Sequence, residues 1–245
     1  MKEEIKKKEV EIVTKESKFA SWFDNFWYHH KWPTIIAIFF VIVILVCVIN
    51  TCSIERSDLT VVYVGDSIDD RDKEIIEYEL SSALPKGFAE QEIPKCELMS
   101  YFILTKDQIE LKEQETHPDN GEQVFIDKSF ITSQKSELVS QLQTGQSSIY
   151  LIDAEVYQDV FEDAKDTLFM PLKDILGETP DSAFDEYGIY LCETDMYKQN
   201  YRGLQALSDD TIICVAKKPF HKSEDDYTLQ LQAFNAFIKS TIIEE

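Results

Sequence analysis

Two aspartates stand where an α/β protein keeps its chemistry. Asp66 directly follows the apolar run 59–65, and Asp153 closes the apolar run 148–153 just ahead of a helical pattern. In open α/β sheets, ligands sit at the carboxyl ends of the strands. Paired carboxylates there could exchange protons with a substrate or hold a cationic group. The plainer role is to cap the following helix, a side-chain oxygen accepting from its first N–H groups.

A second group of oxygens lies in His117-Pro118-Asp119-Asn120-Gly121-Glu122. Asp119, Asn120 and Glu122 could bind calcium while Gly121 permits the turn. A calcium loop needs carboxylates at alternate positions and a distant Glu, which this stretch lacks. Asn-Gly more often just marks a tight turn into the next strand.

Five cysteines are present. Cys47 and Cys52 belong to a long apolar segment, while Cys96, Cys192 and Cys214 lie far apart in strand-like runs. That spacing fits buried thiols better than a disulfide framework or a zinc site, with a single Cys192–Cys214 bridge as the alternative. His117 and His221 sit in charged stretches with no nucleophile turn beside them. No G-x-S-x-G, H-E-x-x-H or glycine-rich phosphate loop occurs, and seven glycines could build few. The expectation is a binding protein with no catalytic residue and no cofactor.

The elements that would position these residues alternate between strand and helix. Strands are expected at 59–65, 95–104, 123–127, 148–153, 188–192 and 210–216. Ser67-x-x-Asp70 reads as a capping box opening a helix that carries Ile68, Ile75, Ile76, Leu80, Ala83 and Leu84, stopped by Pro85. A helix at 133–144 carries Leu138, Val139 and Leu142 and ends at Gly145; a short one follows Asp153. Stretches 105–122 and 177–187 read as surface excursions. Near the end, Tyr227, Leu231, Phe234, Ile238 and Ile242 form a helical stripe behind Ser223-x-x-Asp226, with Gln230 and Gln232 on the wet side. That helix should complete the layer opposite the helices at 68–84 and 133–144. The fold class is α/β: a mixed, mainly parallel sheet with helices on both faces, preceded by one transmembrane helix.

Between Lys31 and Glu55 no charge occurs across 23 residues, 32–54. About 20 apolar residues suffice to cross the hydrocarbon core. The reading is a tail at 1–32, an anchor at 33–54 and an extracytoplasmic domain at 55–245. Trp22, Trp27, Tyr28 and Trp32 would form the interfacial belt. Phe19, Trp22, Phe23, Phe26, Trp27 and His30 share a stripe that would lay residues 19–30 in the headgroup plane. His29 and His30 read as polar belt neighbours, having no third metal ligand nearby. A cleaved signal peptide fits less well, because 31 residues rich in Glu would precede its apolar core and Thr51-x-Ser53 is a poor cleavage site. Lipidation at Cys52 would want a small residue just before it. Lys15, Lys18 and Lys31 precede the span and only Arg56 closely follows, so the N-terminus belongs inside.

Residues 1–32 hold seven lysines against six acids, and the remainder holds 17 basic against 40 acidic residues, a net of −23. Such a surface repels phosphate backbones, which excludes nucleic acid as a partner. The 193 residues from Ser53 onward suit one domain with a full core.

The run 136–176, SELVSQLQTGQSSIYLIDAEVYQDVFEDAKDTLFMPLKDIL, resembles a segment of extracellular solute-binding proteins of the type II periplasmic-binding fold. The resembling features are the turn Leu142–Gln146, the strand 148–153 and Met170-Pro171-Leu172-Lys173-Asp174. The strand–helix–strand at 59–104 matches that family's first unit. The chain also resembles anchored Gram-positive proteins with an aromatic YHHKW approach to the span. The resemblance implies non-catalytic solute capture by one lobe, whereas the family closes two lobes on its ligand. The competing expectation is an envelope signalling or assembly component whose outer domain senses a protein partner.

Overall fold

The computed structural model describes residues 18–53, 57–89, 94–115, 124–199, 202–220 and 222–239. The chain divides into two compact units, Met1–Glu55 and Arg56–Glu245. In the first, α1 (Lys18–Ser53) is a single helix, and its stretch Phe26–Ile49 is long and apolar enough to cross a membrane. Those 24 residues extend about 36 Å at ~1.5 Å per residue, against roughly 30 Å of hydrocarbon. The expected in-plane segment is therefore not separate: residues 18–30 continue the same helix. No glycine interrupts this approach, and Pro33 is accommodated within the helix. An unbroken helix keeps its backbone groups paired where lipid offers them none.

In the second unit, β1 (Leu59–Gly65), β2 (Cys96–Phe102), β3 (Ile149–Asp153), β4 (Gly188–Tyr190) and β5 (Thr211–Val215) form a five-stranded sheet with β3 at its middle. The order is β2-β1-β3-β5-β4. β1 pairs parallel with β2 and β3, while β5 pairs antiparallel with β3 and β4. The sheet is mixed, but parallel pairing rules only the β2-β1-β3 half.

Alternation along a strand sends successive side chains to opposite faces. Accordingly Val61 and Tyr63 join a core with Ile76 and Leu80 of α2 (Asp70–Ala83) and with Phe234 and Phe237 of α9 (Glu224–Ile238). Val62 and Val64 join a separate core with Leu138 of α4 (Lys128–Thr144), Tyr150, Tyr157 and Phe169. The C-terminal helix therefore packs with α2 and not opposite it. Its buried stripe is also wider than expected, taking in Ala233, Phe237 and even Gln230; Ile242 lies outside the described residues. Val139, assigned to the apolar face of α4, is exposed.

Three further expectations change. Residues 124–127 form no strand; Asp127 instead caps α4, accepting from the backbone of Ser129 and Phe130, and residue 123 lies outside the described set. The stretch after β2 is not irregular throughout, because α3 (Lys106–Gln114) opens there on a full capping box of Thr105 and Gln108. The capping box expected at Ser67 is absent: α2 begins at Asp70, behind Asp69 as N-cap residue, with no side-chain cap. Past β3 the chain runs through α5 (Ala154–Val156), a π turn at Tyr157–Phe161, α6 (Lys165–Leu168) and α7 (Leu172–Leu176). Cys192 falls in the 3-10 turn Leu191–Glu193, beyond the end of β4. A second 3-10 turn, Leu204–Ala206, follows α8 (Asp195–Lys198).

Candidate functional site

Parallel pairing places the carboxyl ends of β1 and β3 side by side, so Asp66 and Asp153 reach the same place. A cleft of about 450 Å³ opens there. Tyr63, Asp66 and Asp153 lie on its sheet side, Gln108, Leu111 and Lys112 of α3 form one wall, and Ala206–Ser208 form another. A buried carboxylate far away in sequence holds that second wall. Glu79 of α2 accepts the backbone N–H groups of Gly203 (2.9 Å) and Leu204 (3.0 Å), pinning the turn that carries Ala206.

Asp153 is buried, with 4% of its surface exposed. Its carboxylate accepts from the Tyr63 hydroxyl (3.1 and 3.2 Å), the Asp66 backbone N–H (3.3 Å) and the Thr211 hydroxyl (3.1 Å). Thr211 is its cross-strand partner on β5. The carboxylate thus ties three strands together. Asp153 stands at the N-cap position of α5 but makes no side-chain cap bond, so the capping role does not describe it. Burial pushes its pKa up to about 6 against the opposing pull of these hydrogen bonds. The Tyr63 phenol is also driven up, by burial first and then by the Asp153 charge. Asp153 can hold a proton into the mildly acidic range at the back of a cleft.

Gly65 makes this approach possible. A Cβ there would lie 2.1 Å from Asp153 Oδ2 and 2.6 Å from the Tyr63 hydroxyl. Glycine is required because a side chain would displace the carboxylate.

Asp66 plays a different part. Its carboxylate accepts the Ser67 backbone N–H at 2.7 Å and pairs with Lys112 at 2.6 Å across the cleft mouth. It caps no helix, since α2 starts four residues later. The ion pair is about one-third exposed, so water and salt screen it.

The oxygens proposed for calcium, Asp119, Asn120 and Glu122, and also His117 and His221, lie outside the described residues. Among the described residues no group of three or more His, Cys, Asp or Glu is placed to hold a metal. Cys192 and Cys214 are both free thiols, and Cys96 and Cys214 are buried, which drives their pKa values up. Trp22, Trp27, Tyr28 and Trp32 are all exposed on α1. Tyr63, Thr211 and Glu79 are the site-building residues that the sequence does not single out. Only Tyr63 left a trace, as an aromatic hydroxyl in an apolar strand two residues before Gly65.

Comparison with known protein families, curated proteins and solved structures finds no match to this chain.

Proposed function

We propose that this protein is a membrane-tethered binding module. In this reading α1 crosses the cell membrane with the N-terminal tail inside, Trp22, Trp27, Tyr28 and Trp32 lie near the interface, and the acidic domain faces outward. The cleft at the ends of β1 and β3 takes a small solute, with Asp66 and Asp153 at its polar end and Leu104, Leu111 and Leu207 supplying apolar contact. The observation that carries this reading is the cleft's position at the carboxyl ends of adjacent parallel strands, where α/β sheets bind ligands. Solute capture by one lobe, as in type II periplasmic-binding proteins, is part of the proposal and rests on the sequence resemblance. No catalysis is assigned.

A second reading has its own support. Leu111 (64% exposed) lines the cleft, and Phe125 (86%) and Phe130 (49%) stand exposed on the segment after α3 and on α4. Grouped on one surface, exposed apolar side chains of this size would form the kind of patch that marks contact with other proteins. An envelope signalling or assembly role, with the domain sensing a protein partner, follows from them.

A thermal-shift screen of the full chain against amino acids, amines and short oligosaccharides separates the two. A solute at a hundredfold excess over its Kd stabilises the domain by about 2.7 kcal/mol, a midpoint rise of about 5–10 °C at this size. The rise should vanish in Leu111→Arg, which fills the cleft. No shift with any solute would favour the protein-sensing reading.

A further inference from the structure

The two walls of the cleft are held very differently. The wall at Ala206–Ser208 follows a turn that the buried Glu79 carboxylate grips at Gly203 and Leu204. The helix that supplies Glu79, α2, is itself rooted by Ile76 and Leu80, both fully buried. The wall formed by α3 has no such root. None of its nine residues is buried, and among the described residues no strand or helix packs closely on it.

What ties α3 down is slight. Of its two apolar residues, Ile109 reaches the satellite core of Leu104, Ile126 and Ile131, and is itself only partly buried there. Lys112 pairs with Asp66 across the cleft mouth, and Glu113 pairs with Lys128 at 3.0 Å. Both ion pairs stand largely in solvent, where such pairs hold weakly. Past the helix end, one backbone bond runs from the Val124 N–H to the Glu115 carbonyl at 3.1 Å. The N-terminal end, by contrast, is fixed. The Ile103 N–H donates to the Gly65 carbonyl at 2.9 Å, Ile103 and Leu104 are buried, and the capping box of Thr105 and Gln108 sets the first turn. A helix anchored at one end and loosely tied along its length can pivot at that end.

Leu111, the other apolar residue, gives the pivot a direction. It is 64% exposed, yet it lines the cleft together with Leu104 and Leu207, which are buried. Swung inward, its side chain leaves water for the apolar part of the cleft, a gain that grows with the area covered. Outward movement brings it no such gain.

We infer, on the reading of the cleft as a solute site, that α3 is a lid: it pivots at Thr105 and carries Leu111 across the cleft toward the fixed wall at Ala206. Such a lid lets a single lobe enclose what it binds. A solute shifts the lid toward its closed position by the contact it makes with Leu111 only there.

Two measurements on the full chain in detergent micelles test the lid. In hydrogen exchange read by mass spectrometry, the amides of residues 110–114 should exchange roughly a hundredfold faster than those of residues 76–80, because α3 opens without unfolding the sheet. Leu111→Cys combined with Ala206→Cys places two thiols at exposed positions on facing walls. Oxidised glutathione should join them in a disulfide, itself being reduced to its thiol, and peptide mapping identifies the bond. That bond needs Cα atoms within about 7 Å, a spacing that closure supplies. Fast exchange without the bond would make α3 a fraying helix and overturn the lid. Slow exchange would make it a fixed wall and overturn the lid whether or not the bond forms. The solute reading fails separately: fast exchange and the bond, with no solute shifting the melting midpoint, would leave the lid standing over a cleft that captures none of the solutes screened.

Discussion

Replacing Phe234 with alanine is expected to remove about 3–5 kcal/mol from the stability of the outer unit. Total stability of a domain this size is on the order of 5–15 kcal/mol, so the variant should be marginal or unfolded at 37 °C. Phe234 is completely buried and shares its core with Ile76, Leu80 and Val61, so its loss opens a cavity where α9, α2 and β1 meet. Phe237 and Tyr227 anchor the same helix, and the Tyr227 hydroxyl donates to the Ala216 carbonyl at 2.9 Å. Urea unfolding of residues 56–245, wild type against Phe234→Ala, measures the difference. A loss below about 1 kcal/mol would mean that α9 contributes little to the fold. It would then belong to a partner-binding role.

The second large effect is a pH dependence centred on Asp153. Its folded pKa of about 6 lies above the value near 3.9 of an unfolded chain. The folded state therefore holds this proton more tightly. The stability it contributes is fully present below pH ~4, falls as pH rises toward the folded pKa, and is absent above it. Two pKa units correspond to about 3 kcal/mol. Other carboxylates titrate in the same range, so the informative quantity is wild type minus Asp153→Asn. Between pH 4 and pH 7 that difference should move by about 2 kcal/mol in favour of the variant. Any fixed cost of fitting an amide between Tyr63, Thr211 and the Asp66 N–H cancels from the slope. A difference independent of pH would show that Asp153 is ionised throughout, its three donors outweighing its burial.

Local signals in the sequence carried far, and nonlocal ones did not. Five strands were legible as short apolar runs, and Gly145 as the stop of α4, because each depends on neighbours within a few residues. α3 carries little signal although Thr105 and Gln108 spell its capping box, since the helix is charged and buries no residue completely. Without an apolar period there was nothing to read but the cap. Residues 123–127 looked like a strand by composition, yet Asp127 accepts from the first turn of α4 and Ile126 packs on Leu104 and Ile131 in a small satellite core. The site shows the same division. Asp66 and Asp153 could be found from their places after strands, but their roles could not. The partners of Asp153, Tyr63 and Thr211, stand 90 and 58 residues away and arrive only through strand register. Glu79 reaches across 124 residues to Gly203.

If α1 tethers the domain outside the membrane, a reporter fused after Glu245 will lie there too. Alkaline phosphatase, which is active only outside the cytoplasm, should be active in that fusion and should remain with the membrane fraction. An inactive fusion, or activity released on a soluble chain that starts near Ile54, would contradict that topology.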